Sequence, residues 1–431
     1  MNNFFFNLKN MAQSFGKLLD PHRCLKEPYG IKGNRQSLVI NNNPSTIDQG
    51  QTLTIRFPNL SQNDLIVPGS VKLAFTIDLE SVADPNRTVV TNLGREMIKN
   101  ITVKLEGREV LSVNEANVFL TYCDLWLTDT QREDRIYQGI QGENGLKHRI
   151  DAADAADGKK DETLAWVFKN RFCVPLEFEI LNSHLPFYQG ALSERLSYEL
   201  TFNRYDQVIL STDPDAKYRI SNISLEFDIV NHDELARMVL SRYQSHLPIY
   251  YQRVLHHSTV VKNRSDTIWN FNFSASGKSI KGILFLFRDP PKPFDTDPEK
   301  FINPRISRVT CTIEGKPNQL YANGLLPYHQ FAEARKFFSC VNQSNQTSKD
   351  LHLHGLRIDN FYMKNFCLWL DLRTTDDDLL HGSGRRIEGS DGLIIQMEKD
   401  AEQKKELSVY IYLVHDAQLN IAEQRLKDIV F

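Results

Sequence analysis

Alternation of apolar and polar residues at every second position is the feature that most constrains this chain. Between residues 71 and 79, large apolar side chains occupy every odd position, and smaller or polar residues lie between them. Successive side chains of a strand point to opposite faces, so the pattern predicts a strand with one face on a core and the other in water. It predicts further strands at 53–57, 101–105, 196–202, 223–229, 269–273, 309–313 and 407–413.

Helical patterns are few by comparison. The candidates are 114–128, 233–244, 327–339 and, less clearly, 416–430. Each begins near Asn, Asp or Pro, residues that suit helix starts. Strands do not alternate with helices as they do in α/β enzymes, and no G-x-G-x-x-G or G-x-x-x-x-G-K-[ST] motif occurs. The sequence therefore predicts an all-β fold with short inserted helices.

A degenerate internal repeat divides the chain in two. Its three echoes pair 98–108 with 306–316, 172–176 with 366–370, and 225–233 with 408–416. In the first echo, IKNITVKLEGR matches ISRVTCTIEGK, and each copy predicts a strand that runs into a tight Glu-Gly turn. The echoes occur in the same order with a steadily shrinking separation, as expected of two copies of one domain with different loop lengths.

The repeat predicts the domain organisation. We expect an N-terminal arm at 1–34, a first domain at 35–232, a linker at 233–246 that is helical, and a second domain at 247–431 that ends in a C-terminal tail. Immunoglobulin sandwiches have only about 100 residues. Two all-β domains of nearly twice that length, each with a helix between strands, favour two tandem antiparallel jelly rolls.

Two polar stretches are predicted to be long loops. The excursion 129–167 contains DAADAADGKKDE at 151–162, which is too polar to pack and is predicted to form an exposed, mobile crown. The stretch 288–304 is rich in Pro and Asp and cannot extend a β-ladder.

Charge and cysteine content exclude several function classes. The chain has 51 Lys and Arg against 54 Asp and Glu, a formal net charge of -3. Neutralising many phosphates needs a concentrated basic surface, so we expect no direct, sequence-specific nucleic-acid binding. Six widely spaced cysteines without a C-x-x-C pair disfavour a zinc site and a disulfide framework, and fit a reducing compartment. The first residues do not read as a signal peptide.

The sequence contains no recognisable set of catalytic residues. The G-x-S-x-G and H-E-x-x-H motifs do not occur. His352 and His354 have the spacing of two cupin metal ligands, but the glutamate expected at the usual interval does not follow. The His-Asp pairs at 232–233 and 415–416 are predicted at strand ends, where a repeated capping or hinge contact is a better interpretation than a catalytic dyad. The sequence predicts no enzyme activity, no metal site and no cofactor.

Three features together carry a resemblance to a known family. They are the tandem of predicted jelly rolls, the strand, turn and helix of NITVKLEGREVLSVNEANVFLTYCDLWL at 100–127, and the run DPHRCLKEPYGIKGNRQSLVI at 20–40. Together with the missing catalytic motifs, these features resemble the double jelly-roll major capsid proteins. The chain is most similar to the capsid proteins of Polinton/Maverick elements and adintoviruses, and more distantly to virophage and adenovirus-type hexons. The resemblance covers about residues 35–431.

The resemblance implies a homotrimer whose six rolls form a pseudo-hexagonal capsomer that tiles an icosahedral shell. It also implies neighbouring capsomers, penton proteins and minor capsid proteins as partners, assembly inside the host cell and a final location in the virion capsid. A tandem duplication suits this geometry, because three chains then present six similar wedges of two kinds that can diverge. A near-neutral charge suits dense side-by-side packing.

The N-terminal segment is a candidate assembly arm. Its large apolar residues are Phe4, Phe5, Phe6, Leu8, Met11 and Phe15. An extended arm or amphipathic helix could dock beneath a neighbouring capsomer, a minor capsid protein or an internal membrane, although nothing else in the sequence supports membrane contact. The alternative is that the segment covers the bottom of its own rolls.

A second function class stays open at this point. A cellular β-sandwich binding module or carbohydrate-active protein would fit the same composition, and would be favoured if the loops 129–167 and 288–304 formed an aromatic-lined cleft.

Overall fold

The computed structural model describes most of the chain from residue 32 onward. Its described residues are 32–39 (backbone only), 46–58, 60–61, 63–66, 70–81, 84, 87–140, 171–176, 191–231, 233–261, 267–318, 321, 323–342, 355–373, 384–388, 392–400 and 405–430. The candidate arm residues at 4–15, the tract 151–162 and the histidines at 352 and 354 lie outside these residues, so that the statements about them stay predictions.

Strands make up about half of the described structure. Those before residue 233 are β1 (Lys32–Val39), β2 (Thr52–Arg56), β3 (Asp64–Ile66), β4 (Lys72–Glu80), β5 (Thr88–Val89), β6 (Ile98–Leu105), β7 (Arg108–Val113), β8 (Arg171–Pro175), β9 (Leu196–Phe202), β10 (Ile209–Leu210) and β11 (Lys217–Asn231). Those after residue 246 are β12 (Leu247–Val261), β13 (Ile268–Phe273), β14 (Ser279–Arg288), β15 (Ile306–Ile313), β16 (Lys316–Pro317), β17 (Cys367–Asp371), β18 (Arg385–Arg386), β19 (Leu393–Lys399), β20 (Leu407–Ala422) and β21 (Arg425–Val430).

Helices connect some of these strands. They are α1 (Leu93–Glu96), α2 (Ala116–Asp124), α3 (Asp129–Asp134), a 3₁₀ turn (Ile136–Gln138), α4 (Tyr205–Val208), α5 (Asp233–Gln244), α6 (Pro327–Asn342) and α7 (Ile358–Lys364). All eight predicted strands and the predicted helices at 114–128, 233–244 and 327–339 are present.

Each half of the chain forms two antiparallel sheets, and a path of four strands in each sheet has the same order in both halves. Beside these paths, β3 pairs with β11, β18 with β14 and β21 with β20. The first half has sheet A1 (β1-β11-β4-β8) and sheet B1 (β2-β9-β6-β7), and the second half has sheet A2 (β12-β20-β14-β17) and sheet B2 (β13-β19-β15-β16). When the eight strands are numbered in chain order within each half, both halves read 1-8-3-6 and 2-7-4-5. Two facing sheets with this order form a jelly roll. The predicted all-β fold of two tandem antiparallel jelly rolls is therefore confirmed, and we call its halves the first and second roll.

The two segments of the first echo also share their backbone geometry. The turns between β6 and β7 and between β15 and β16 both place Glu-Gly at positive φ, with values of 47° and 82° in the first and 51° and 72° in the second. Such two-residue turns match the twist of an antiparallel hairpin. β6 and β15 also share a bulge at the second residue of the strand, Lys99 and Ser307, where the register against the neighbouring strand shifts. The repeat therefore extends to backbone irregularities.

The third echo pairs corresponding strands in the wrong register. β11 and β20 hold the same place in sheets A1 and A2. Across the intervening strand of sheet A1, Leu225 lies level with Val174. Across the intervening strand of sheet A2, Ile411 lies level with Leu368. Val174 and Leu368 are matched to each other in the second echo. Leu225 therefore corresponds to Ile411 and not to Ser408. Leu225 and Ile411 are both buried core residues, whereas Ser408 points away from the core.

Two further predictions from the sequence are wrong. The pair at 415–416 lies inside β20 and not at a strand end. The helix predicted at 416–430 is a hairpin of β20 and β21, which turns at Glu423 and Gln424 with positive φ. The hairpin forms because Leu419 and Ile421 continue the alternating burial of β20 and pack on the core of the first roll.

The expected loop at 129–167 is helical at its beginning. Residues 129–140 form α3 and the 3₁₀ turn, and Gln138 and Ile140 are fully buried. Polar side chains anchor this part, as described below. In contrast, the stretch after Arg288 contains no strand among residues 289–305, in agreement with its prediction.

Each roll has a hydrophobic core, and the two rolls exchange segments. Ile249, Leu419 and Leu426 of the second roll lie in the first core, whereas Tyr122 and Trp126 of the first roll lie in the second core. The predicted domain limits at 35–232 and 247–431 stay a prediction, because packing crosses them in both directions.

Gly282 tests how tightly β14 packs against β17. A Cβ at this position would lie 2.2 Å from Trp369 Cζ2 and 2.7 Å from the Leu370 carbonyl oxygen. We expect Gly282→Ala to lower the free energy of unfolding by about 3 kcal/mol, because the sheet would have to shift. Gly315→Ala, at φ 72° with open space around it, should cost only about 1 kcal/mol. Denaturant unfolding measures both values, and equal losses would contradict the proposed close packing.

Candidate functional site

The junction between the two rolls is the most elaborate site in the described structure. We define it as α2 with the following Leu125 and Trp126, together with the surfaces of the second roll that they contact. Those surfaces are the outward face of sheet A2, the loop 289–305, α6 and α7. The outward face of a sheet is the face turned away from the other sheet of the same roll.

Aromatic rings fill the centre of the junction. The Tyr122 ring lies 4.8 Å from Phe301 and 5.3 Å from Phe338, edge to face in both pairs. Trp126 stacks on Phe338 at 5.1 Å with an interplanar angle of 8°. Tyr122 and Phe338 are fully buried. Each large buried side chain contributes about 2 kcal/mol relative to exposure, so that this contact resembles a domain core more than a transient interface.

Hydrogen bonds fix the orientation of α2 on the second roll. The Tyr122 hydroxyl donates to the Asn365 carbonyl oxygen at 3.1 Å, and the Tyr412 hydroxyl donates to the Glu115 carbonyl oxygen at 2.8 Å. The Tyr412 ring also lies 5.0 Å from that of Phe119. A buried tyrosine needs a partner for its hydroxyl, and each of these two finds it on the other roll.

A buried aspartate organises the polar side of α2. Asp124 Oδ2 accepts hydrogen bonds from Asn92 Nδ2 at 2.9 Å, Arg95 Nε at 3.2 Å and Gln138 Nε2 at 2.9 Å. Asp124 and Arg95 are only 3% and 5% exposed. The 3₁₀ turn is thereby tied to α1 and α2. A buried charge requires such pairing, which explains why residues 129–140 pack against α1 and α2.

The network continues across the junction. Arg132 donates to the Asp124 carbonyl oxygen at 3.3 Å and to Glu299 Oε1 of the second roll at 2.9 Å. Asn365 Nδ2 in turn donates to the Glu299 carbonyl oxygen at 2.7 Å. The loop 289–305 is therefore bound from both sides.

Glu96 is a second buried carboxylate at the junction. It accepts hydrogen bonds from Asn117 Nδ2 at 2.9 Å and Thr121 Oγ1 at 3.0 Å, both on α2. Burial raises the pKa of Glu96 above its ordinary value, and the nearby charge of Arg288 in the second roll opposes this rise. Since the pKa is raised in the folded state, this group disfavours folding at neutral pH, and the penalty is relieved as the pH falls.

Strand β12 and the C-terminal hairpin make a second contact between the rolls. The Tyr251 hydroxyl donates to the Val110 carbonyl oxygen at 2.7 Å, and Arg253 donates to Glu109 at 2.8 Å. Arg108 reaches the Leu426 carbonyl oxygen at 3.1 Å. The two rolls are therefore held at both ends of β20.

His415 is a titratable group without full pairing in this region. Its side chain is 1% exposed, its Nδ1 lies 2.9 Å from the Asp416 carbonyl oxygen, and its Nε2 has no hydrogen-bond partner. Burial lowers the pKa of His415 to about 4, helped by the charges of Arg253 and Lys278 and opposed by its contact with Asp416. The ring is therefore neutral in the folded protein at neutral pH.

Chemically reactive groups do not converge in the described part of the chain. Among the described residues, no group of three or more His, Cys, Asp or Glu could hold a metal ion. Burial raises the pKa of the Cys311 thiol to about 12, and it raises those of Cys123 and Cys367 further. These thiols are protonated at neutral pH and are therefore poor nucleophiles. No helix of the described residues is long and apolar enough to cross a membrane.

Sequence reasoning located α2 and α6 but not the junction. Asp124, Glu96 and Asn117 carry no motif, since their partners lie on elements far away in the chain. The available signal was the helical pattern at 114–128, whose apolar residues surround the helix instead of forming one stripe. A helix that is apolar on all sides is covered on all sides.

Of the comparisons with known proteins, only that of the structures finds similar proteins. No protein-family model and no curated protein matches the sequence. The fold is similar to that of a PBCV-1 virus capsid structure, with a TM-score of 0.62 and 12% identity over 93% of this chain and 98% of that chain. It is similar to the Faustovirus major capsid protein, with a TM-score of 0.54 and 9% identity over 92% of both chains.

A third similar structure is the mavirus major capsid protein. Its TM-score is 0.50 at 10% identity, over 92% of this chain and 90% of that chain. At identities this low the similarity concerns the fold, and it includes both rolls because nearly the whole of each chain is matched. This chain therefore has the double jelly-roll fold found in these capsid proteins.

Removing the charge of Asp124 should destabilise the whole junction. Asp124→Asn leaves the Arg95 guanidinium buried without its counterion, and such losses cost about 3 kcal/mol or more. We expect a corresponding decrease in the free energy of unfolding, measured with denaturant. Glu388→Gln, which removes an exposed carboxylate beside Arg386, is the matched control and should change the free energy by less than about 0.5 kcal/mol.

His415 should make stability depend on pH below neutrality. An unfolded histidine gains a proton near its ordinary pKa of 6.5, whereas folded His415 resists protonation down to about 4. The folded state therefore loses stability as the pH falls through this window. We expect denaturant unfolding at about pH 7 and pH 5 to show a smaller loss for His415→Gln than for the unmodified chain. His246→Gln, at an exposed position, is the control. Identical losses in all three proteins would contradict the assignment.

Proposed function

We propose that this chain is the major capsid protein of a virus, and that three copies form a pseudo-hexagonal capsomer of an icosahedral shell. The observation that carries the proposal is the pair of jelly rolls with identical strand order, joined by a buried junction. The similar structures described above are viral capsid proteins, and each is matched over nine-tenths of this chain. A permanent two-roll block is what a trimer with six similar wedges requires.

The proposal extends to kinship, location and partners. From the sequence resemblance at 20–40 and 100–127, we assign the chain to the capsid proteins of Polinton/Maverick elements and adintoviruses. Its rolls are the units 35–232 and 247–431, its place is the virion capsid, and its partners are neighbouring capsomers with penton and minor capsid proteins. The role that we propose is structural and not enzymatic. The segment with Phe4, Phe5 and Phe6 is the proposed assembly arm.

The alternative of a carbohydrate-binding or carbohydrate-active protein finds less support. It needs an aromatic-lined cleft formed by the loops 129–167 and 288–304, of which residues 141–167 lie outside the described part of the chain. Phe301 in the loop 288–304 is fully buried in the junction, and Phe294 packs on the first core. The backbone of Phe294 is bonded to Asp206 and Ser211 of the first roll at 2.8 and 3.2 Å. These two aromatic rings pack inside the protein and do not line a cleft.

Oligomeric state tests the proposal directly. Light scattering of the purified chain should give about three times 49.7 kDa. Electron micrographs should show hexagonal particles or shells. A chain that remains monomeric at high concentration, or that binds a glycan tightly, would contradict the capsid function.

A further inference from the structure

His256 on β12 lies beside the surface on which α2 packs. Its ring is 5.1 Å from the ring of Tyr412 and 6.1 Å from that of Tyr410, both on the outward face of sheet A2. The Tyr412 ring also contacts Phe119 of α2, and its hydroxyl donates to the Glu115 carbonyl oxygen. A single tyrosine of the second roll therefore touches both the histidine and the first roll.

The ring of His256 has an unsatisfied nitrogen. Its Nε2 is buried and has no hydrogen-bond partner. A neutral imidazole can leave this nitrogen as an unused acceptor, whereas a protonated ring carries a charge and a second N–H donor that needs a partner. Burial accordingly lowers the pKa of His256 to about 4, helped by the nearby charges of His257 and Lys99.

Ionisable groups face His256 from both rolls. They are His257 on its own strand, Tyr410 and Tyr412 on β20, Glu96 and Arg288 beyond Tyr412, and Lys99 and Glu115 of the first roll. Burial raises the pKa of both tyrosines, which are therefore uncharged at neutral pH. Lys99 already forms an ion pair with Glu115 at 3.1 Å. A proton on His256 would thus add a second cation near Lys99, across the boundary between the rolls.

We propose that protonation of His256 weakens the packing of α2 on sheet A2, so that the two rolls separate locally in mild acid. Separation exposes the ring to water and moves Lys99 away from it. An exposed histidine binds a proton near pH 6.5, so that the open state takes up protons at a higher pH than the closed state. Opening is therefore favoured as the pH falls from about 6.5 to about 4, and below this window both states are protonated.

Glu96 acts against this switch but is less sensitive to opening. Its pKa is raised in the closed state, so that acid removes the cost of its buried charge. Its hydrogen bonds come from Asn117 and Thr121, which belong to the same roll and move with it. His256 in contrast is covered across the boundary between the rolls. We therefore expect His256 to set the response of the junction to acid.

The two pKa values set the size of the effect. With about 4 in the closed state and about 6.5 in a fully exposed ring, the equilibrium constant for opening rises about 20-fold between pH 7 and pH 5. The switch lies within a single chain and does not rest on the proposed function. Only its consequence does, namely that a shell of such subunits would loosen in an acidic compartment.

Two native cysteines can report the opening. Cys367 is fully buried in sheet A2, and its thiol contacts the Tyr122 hydroxyl of α2. Cys311 is equally buried in sheet B2, outside the junction. Both thiols are labelled with 4,4′-dithiodipyridine at pH 7 and pH 5, and peptide mass spectrometry gives the rate for each. Each rate is divided by that of an unstructured cysteine peptide at the same pH, which removes the effect of pH on the reagent.

In the unmodified chain, we expect the corrected rate of Cys367 to rise at least about fivefold from pH 7 to pH 5, while that of Cys311 stays low. His256→Gln should reduce the rise to less than about twofold, because glutamine does not titrate. His246→Gln, at an exposed position, is the matched control and should behave like the unmodified chain. The proposal is overturned by the absence of a rise in the unmodified chain, by an equal rise in His256→Gln, or by labelling of Cys311 as fast as Cys367, which would indicate global unfolding.

A second variant leaves the histidine in place. Lys99→Gln removes the facing cation and frees Glu115, so that protonated His256 is better tolerated in the closed state. We expect the rise of the Cys367 rate to be at least about twofold smaller than in the unmodified chain. This variant carries the test if His256→Gln does not fold, and an unchanged rise would then overturn the proposal. Circular dichroism at pH 7 verifies that each variant is folded.

Discussion

The packing of α2 into the core of the second roll is the contact on which the rest of the structure depends. A jelly roll buries the inner faces of two sheets and leaves the outer faces to water or to a partner. In this chain, Tyr122 and Trp126 cover the outward face of sheet A2 and its adjoining helices, so that the second roll is buried on both faces of its A sheet. Asp124 and Glu96 hold α2 in position from the side of the first roll. Two units of similar fold are thereby packed into one block.

Duplication of a fold does not require duplication of its interfaces. Sheets A1 and A2 have the same strand order, yet their outward faces differ in chemistry. A2 presents Tyr412 and Leu284 to a permanent partner in the same chain, whereas A1 presents Glu226 and Asp228. An interface that forms during folding can be apolar, because it is never exposed to water in the mature protein. The half-buried Glu226 and Asp228 accordingly give A1 the more polar outward face.

The buried ionisable groups of the molecule act in opposite directions. Glu96 has a raised pKa and His415 a lowered one, and burial is the main cause in both cases. Acidification removes the cost of burying a charge on Glu96. It adds such a cost at His415, where a proton on Nε2 would find no hydrogen-bond acceptor. Both groups lie on elements that connect the rolls. Burial lowers the pKa of His256 to about 4 as well. These buried groups therefore contribute opposing terms to the dependence of stability on pH.

The sequence by itself determined the strands, three helices and the duplication. The alternation of apolar and polar residues and the residues of tight turns are local properties that directly favour one backbone conformation. It could not determine which face of a helix meets a distant element. A local pattern does not show whether Phe119 and Asp124 face their own roll or the other roll. It also misread residues 416–430, where Leu419, Leu426 and Ile429 suit a helix as well as a strand. Only tertiary structure decided that case, since pairing of β20 with β12 and packing on the first core outweigh local preference. The junction and its buried charges are likewise products of long-range packing.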